Sequence, residues 1–446
     1  MPLASLVGLA GMIIRVSLSE VAELMRNSSG WVDVVQTSGS FPFFPAALLL
    51  VFVWSCWPST AGAASLWRTA YFYQPAADSL PIASIPWSMY THVIQYAALP
   101  TDGCALDTGR YLITPASITA FTSAAHANGV KALIGLMQDN DASLMAKCTD
   151  AAHVAGFAAN LASFINANGY DGFDLDWENG IIPLQYAQLI DRLRALLPLK
   201  VVTVATDVTT RSMLATIQGA IDQINIMNYD SDTGFFTGTI PTTTWFNSAI
   251  LAAGETARIS AEGSINYMLS AGIAAGKIGL GQPFYARVTQ GCRAGYQSGT
   301  SCGQGVTGPD QPFAFGNAAT NSRAAMNYNT LLSSLYWSGG KHLWDDDRKS
   351  AYLSYISSNA TCSPPPCNTD AYVSYPDARQ LQSAIALINS KGLGGIMVFS
   401  LEGEYLPDAS GDARYPLSSA IMATNTPKSP TSTTDTPKPP TWITVH

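Results

Sequence analysis

The chain is expected to fold as an α/β protein built on one (β/α)8 TIM barrel, and two features of its sequence predict this. Short apolar runs alternate with helical patterns eight times between Leu66 and about Ala423, the count and order of a barrel. One interval, 287–372, is too long for a simple βα unit and carries four of the seven cysteines. It reads as an inserted, disulfide-pinned subdomain between the seventh and eighth strands, spanning 288–372.

Residues 1–64 read as an N-terminal extension and secretory signal. Residues 46–57 form an apolar run of secretory length, followed by Ala61-Gly62-Ala63, a small-x-small cleavage pattern. The run is too short to span a bilayer, which needs about 20 apolar residues. A start at Met25 would put Arg26 in a positive n-region. The expectation is a secreted, extracellular protein, with a signal-anchored form as the alternative.

The barrel is expected over 65–424, with strands at 69–73, 92–97, 131–137, 172–176, 201–206, 223–229, 277–285 and 394–401. Helical patterns lie between them, among them 151–166, 185–197 and 377–391. The last follows Tyr375-Pro376, where proline blocks helix upstream and Asp377 can cap the first turn. Residues 425–446 are rich in Pro, Thr, Ser and Lys and read as an extended linker or tail.

Composition excludes several partners. Only 12% of residues are charged, and Lys+Arg 23 against Asp+Glu 31 leaves a net −8. Nucleic acid would want clustered basic residues, and an anionic membrane would want the same. Cys56 lies inside the apolar run and would leave with it. Cys104, Cys148, Cys292, Cys302, Cys362 and Cys367 remain, an even set that reads as disulfides in an exported chain. Sequence proximity suggests Cys104–Cys148, Cys292–Cys302 and Cys362–Cys367. No Cys-x-x-Cys occurs and the five histidines are scattered, so no metal and no cofactor are expected. Asn359-Ala360-Thr361 is an N-glycosylation acceptor pattern.

The informative segment is Asp171-Gly172-Phe173-Asp174-Leu175-Asp176-Trp177-Glu178. In a strand alternate residues share a face, so Asp174, Asp176 and Glu178 align opposite Phe173, Leu175 and Trp177. Three carboxylates on one buried face repel, and at least one should hold a proton at neutral pH. A proton shared along the row supplies a general acid at its exposed end, Glu178, where barrel catalysis takes place.

That segment resembles the signature of the family-18 glycoside hydrolases, the chitinases, in full: Asp-Gly-x-Asp-x-Asp-x-Glu on the fourth barrel strand. Ala70-Tyr71-Phe72-Tyr73 is similar to the family's first strand, and Tyr90-Thr91-His92-Val93-Ile94 to its second. Met227-Asn228-Tyr229-Asp230 is similar to the sixth, Gln282-Pro283-Phe284-Tyr285-Ala286-Arg287 to the seventh, and residues 394–401 to the eighth. The resemblance implies that the insertion is a small α+β domain deepening the substrate cleft. It implies hydrolysis of chitin or chito-oligosaccharides, by a monomer, with retention through an oxazolinium closed by the substrate's own acetamido group. Glu178 would be the general acid, Asp176 would orient the acetamido N–H, and Asp174 would share its proton. Tyr229 and Asp230 would bind the reacting sugar. Met227, Tyr71, Tyr285, Arg287 and Phe399 are further candidates for substrate binding, and Trp245, Trp337 and Trp344 for sugar stacking.

Two departures stand out. Phe399 occupies the place of the family's usual tryptophan, and Ile134-Gly135-Leu136-Met137 replaces Ser-x-Gly-Gly, removing an expected partner of Asp174. Relatives reduced to chitin-binding lectins typically lack the terminal Glu, which is present here. Endo-β-N-acetylglucosaminidases usually lack the Trp of Asp-Trp-Glu, and peptidoglycan hydrolases often carry Asn at the place of Asp174.

Overall fold

The computed structural model describes residues 66–138, 141–233, 242–252, 260–295, 297–298, 301–302, 304–313, 322–357 and 370–423. Eight parallel strands close into a barrel. They are Trp67–Tyr73, His92–Pro100, Lys131–Met137, Gly172–Asp176, Val201–Thr206, Gln223–Ile226, Ile278–Pro283 and Gly395–Phe399. The ring closes where the first strand pairs with both the second and the last.

The helices begin where local chemistry starts them. Thr114 and Ser117 form a reciprocal capping box ahead of Pro115–Ala127. Asp377 accepts the Gln380 N–H at 2.7 Å, so the expected cap of Ala378–Lys391 is present. The helices Val154–Ala167 and Pro183–Leu196 fall within a few residues of their expected positions. Their apolar faces meet the outward side chains of the strands in one continuous core.

Three strands end earlier than the sequence suggested, the eighth by two residues, at Phe399. The sixth stops at Ile226: the Met227 N–H still donates to the Thr206 carbonyl at 2.8 Å, and the Asn228 N–H then turns back onto the Ile226 carbonyl at 2.9 Å. The seventh stops at Pro283, which brings no N–H to a ladder. Phe284 then bonds sideways to the Phe399 carbonyl at 2.7 Å, and Tyr285 opens a different sheet.

That sheet is the insertion. Five antiparallel strands run in the order Ser322–Asn327, Tyr285–Gln290, Ala371–Tyr375, Ser350–Tyr355, Lys341–Asp345. Short helices at Tyr328–Leu332 and Leu335–Gly339 complete a small α+β unit. The two strands that connect it to the barrel, Tyr285–Gln290 and Ala371–Tyr375, pair with each other. A disulfide joins Cys104 to Cys148, and Cys292 is also disulfide-bonded. The Cys302 side chain, Cys362 and Cys367 lie outside the described residues, as do 1–65, Asn359 and 424–446. Among the described residues no helix is long and apolar enough to cross a membrane.

Candidate active site

The fourth strand is held at its start by its own motif. The Asp171 carboxylate accepts the Ala132 N–H at 2.9 Å and pairs with His126 at 2.8 Å and Lys131 at 3.1 Å. Gly172 follows because a β-carbon there would lie 1.9 Å from the Val201 carbonyl oxygen. Phe173 and Leu175 enter the core beneath the helices. Trp177 stacks on Tyr186 with centroids 5.8 Å apart, and its indole N–H donates to the Asn179 carbonyl at 2.9 Å. That anchor fixes the turn carrying Glu178.

Inside the barrel, Asp174 is fully buried and accepts from the Tyr71 hydroxyl and the Thr203 hydroxyl, each at 2.5 Å. Asp176 is 4% exposed and accepts from the Tyr96 hydroxyl at 3.2 Å. A side-chain hydrogen bond, which needs a proton on one of the two carboxyls, links it to Glu178, and its buried Oδ1 receives no N–H from the described residues. Glu178 lies two residues past the strand's last residue, Asp176. The Gln138 side-chain oxygen accepts both the Glu178 N–H at 3.2 Å and the Asn179 N–H at 2.8 Å.

All three carboxyls are displaced upward. Burial pushes Asp174 up to about 6, while the Thr203 and Tyr71 donors pull it back. Asp176 rises well above the usual range, first from burial and then from the charges of Glu178 and Asp174. Burial raises Glu178 as well; its interaction with Asp176 opposes the rise, and the charges of Asp230 and Asp207 add to it. Desolvation and like charge thus favour protons held within the row at neutral pH.

Above the row is a cavity of about 170 Å³ lined by Tyr71, Tyr96, Asp176, Glu178, Met227, Tyr229, Asp230, Tyr285 and Phe399. The Phe399 ring lies 30° from the plane of Tyr229 with centroids 6.1 Å apart, and 5.4 Å from Tyr71. The cavity is therefore lined by aromatic rings together with the carboxyls of Asp176, Glu178 and Asp230. Glu178 also borders a more open groove of about 620 Å³, lined by Gly180, Ile181, Pro183, Thr209, Thr210, Ser212 and Met213.

Eight of the residues singled out from sequence meet in this cavity. Asp174 sits beneath it, and Arg287 stands behind it, 3.5 Å from Asp230 and 3.3 Å from Asp232. The tryptophans are placed differently from the expectation. Trp245 is buried under Arg348, Trp344 is covered by Arg379 at 4.0 Å, and Trp337 packs edge-on against Tyr328, His342 and Tyr375. Sequence reading missed Thr203, Tyr96 and Gln138. Thr203 and Tyr71 supply the hydroxyls that the altered third strand does not. No local motif marks them, because each reaches the row from another strand.

Comparison with known proteins agrees with this geometry. The family model for glycosyl hydrolases family 18 matches residues 68–404. The chain belongs to that family. The Niallia circulans chitinase A1 is 28% identical over 289 residues, covering 56% of this chain and 37% of that protein. A chitinase-like effector of Moniliophthora roreri is 25% identical over 401 residues, covering 78% of this chain and 91% of that one. The chain thus spans well under half the length of the bacterial relative. Among solved structures, the second catalytic domain of the Ostrinia furnacalis Group II chitinase superposes with a TM-score of 0.66 at 18% identity, covering 80% of this chain and 96% of that one. At that identity the match speaks for the family-18 fold alone.

Proposed function

We propose that this chain is a chitinase, hydrolysing β-1,4 bonds between N-acetylglucosamine units with retention by substrate-assisted catalysis. The observation that carries the reading is the pairing of Glu178 at the cavity mouth with a buried Asp176 whose Oδ1 receives no N–H donor. An acetamido N–H is a donor of the kind that oxygen lacks. Once Asp176 accepts it, the acetamido carbonyl oxygen is aligned to attack the anomeric carbon. That bond forms as the glycosidic bond breaks, and Glu178 delivers its proton to the departing oxygen. Water then opens the oxazolinium, giving its proton back to Glu178. No second protein carboxylate attacks, in keeping with the substrate-assisted route.

In this reading Asp174 exchanges charge with Asp176, and the Tyr229 hydroxyl bonds the acetamido oxygen. Asp230, Met227, Tyr71, Tyr285 and Phe399 enclose the reacting sugar, and Arg287 orders Asp230. The groove beyond Glu178 takes the leaving portion of the chain. The catalytic unit is residues 65–424, acting as a monomer after export and removal of 1–64, with 425–446 as a tail.

One finding favours a second reading. The match to a protein described as chitinase-like takes in 91% of that protein, and a chitin-binding lectin, the alternative, would keep the barrel without turnover. Fluorogenic chitobiose and chitotriose separate the two. Glu178→Gln is expected to lower turnover by about 10²–10⁴-fold, the size of a general-acid contribution, while chito-oligosaccharide binding persists. A wild type no faster than Glu178→Gln, both binding, would establish the lectin instead.

A further inference from the structure

Asn247 does not line the cavity, yet it bonds to two residues that do. The side chain is buried, the whole residue being 1% exposed. Its Oδ1 accepts the Asp230 N–H at 2.7 Å, and its amide donates to the Tyr285 carbonyl at 3.1 Å. Its backbone N–H donates to the Ser374 hydroxyl at 2.9 Å, and its carbonyl accepts the Ser231 N–H at 3.2 Å. One residue therefore ties the loop after the sixth barrel strand to the two connecting strands of the insertion.

The loop it holds is conformationally costly. Asp230 has φ 55, in the left-handed region. A non-glycine residue persists there only where its surroundings impose it. Arg287 reaches the Asp230 carboxylate from the insertion at 3.5 Å, which orients the side chain. The backbone amide is fixed by Asn247. Tyr285, the first residue of the insertion sheet, is located through the other end of the same carboxamide. Asp230 and Tyr285 both line the cavity.

We propose that Asn247 is a positioning residue for this site, setting the left-handed Asp230 and Tyr285 in register with each other across the junction of barrel and insertion. A buried carboxamide suits the task because it presents one acceptor and one donor in a fixed plane. The insertion then acts as part of the site, and its register reaches the bound sugar through Asn247. This deepens the proposed hydrolase reading and rests on it for the catalytic consequence.

The test is a double-mutant cycle with chito-oligosaccharide hydrolysis as readout. Asn247→Ala is expected to lower kcat/KM by about 10–100-fold, the effect of a displacement near 1 Å at reacting groups. In an Asp230→Ala background the same substitution should cost a clearly smaller fold-loss, because one of the two residues it positions is gone and only Tyr285 remains to be displaced. An equal fold-loss in both backgrounds is what general loosening of the fold produces, and it overturns the proposal. Asn247→Ser keeps an oxygen acceptor and serves as the second variant where Asn247→Ala does not fold; it is held to the same comparison. Crystal structures of wild type and variant decide the positioning claim without any substrate. Asp230 is expected to leave the left-handed region, and unchanged Asp230 and Tyr285 would overturn the inference. An inert wild type whose Asp230 moves in the variant would instead count against the chitinase reading alone.

Discussion

Asp174 can hold or release a proton near neutrality because two hydroxyls compete with its burial. Desolvation lifts its pKa to about 6, and without Thr203 and Tyr71 it would stand higher. Both hydroxyls donate at 2.5 Å, and a donated hydrogen bond favours the ionised form. Thr203→Val removes one donor with little change of volume and does not border the cavity. Losing it makes ionisation of Asp174 harder, so the acid limb of the kcat/KM profile should move to higher pH. The basic limb, set by Glu178, should stay where it is. A pH profile superimposable on wild type would show that Asp174 takes no part in the proton sharing.

At the scale of one element, the helix Pro416–Ala423 is tied to the barrel by a buried carboxyl. Glu404 is fully buried and accepts the Leu417 N–H at 2.6 Å and the Ser418 N–H at 3.0 Å, with the Ser418 hydroxyl on its other oxygen. It thus meets the open N–H groups of a helix start. Burial still outweighs these donors and raises its pKa from 4.5 to about 7. Between those values the folded chain keeps a proton that the unfolded chain has lost, so folding stability falls as pH rises. Below that window the folded and unfolded chains both hold the proton, and nothing is lost. Glu404→Gln mimics the protonated form. Thermal melts from about pH 5 to about pH 7 should therefore fall less steeply in the variant than in wild type. Asp174, raised in the same direction, leaves part of the slope in place. Equal slopes would mean that Glu404 is ionised in the fold throughout.

Across the whole molecule, barrel and insertion are joined by ion pairs as well as by Asn247. Asp232 is fully buried, 3.3 Å from Arg287 and 3.1 Å from Arg323, which lie on neighbouring strands of the insertion sheet. Burial raises its pKa, and the two guanidiniums oppose the rise. Removing one partner of a buried charge typically costs about 3–5 kcal/mol, because the other is left desolvated. Arg323→Met should lower the denaturant midpoint accordingly. A midpoint within error of wild type would mean that the insertion does not depend on the pair.

Much of this was legible in the chain. Strand positions followed from short apolar runs, the Asp377 cap from a proline boundary, and the carboxylate row from two-residue alternation. These are local properties, fixed by how a side chain relates to its own backbone. The strand end at Ile226 was not legible, since Met227 and Asn228 leave the strand in a local turn that no Gly or Pro marks. Nor were the roles of Thr203, Tyr96 and Gln138, which are ordinary residues until barrel closure brings them to Asp174, Asp176 and Glu178. By itself the sequence determined the barrel, its family resemblance and which carboxylates stand in the row. Tertiary structure alone decided how those carboxylates are protonated and how the insertion is registered to them, because desolvation and long-range hydrogen bonds exist only once the chain has closed.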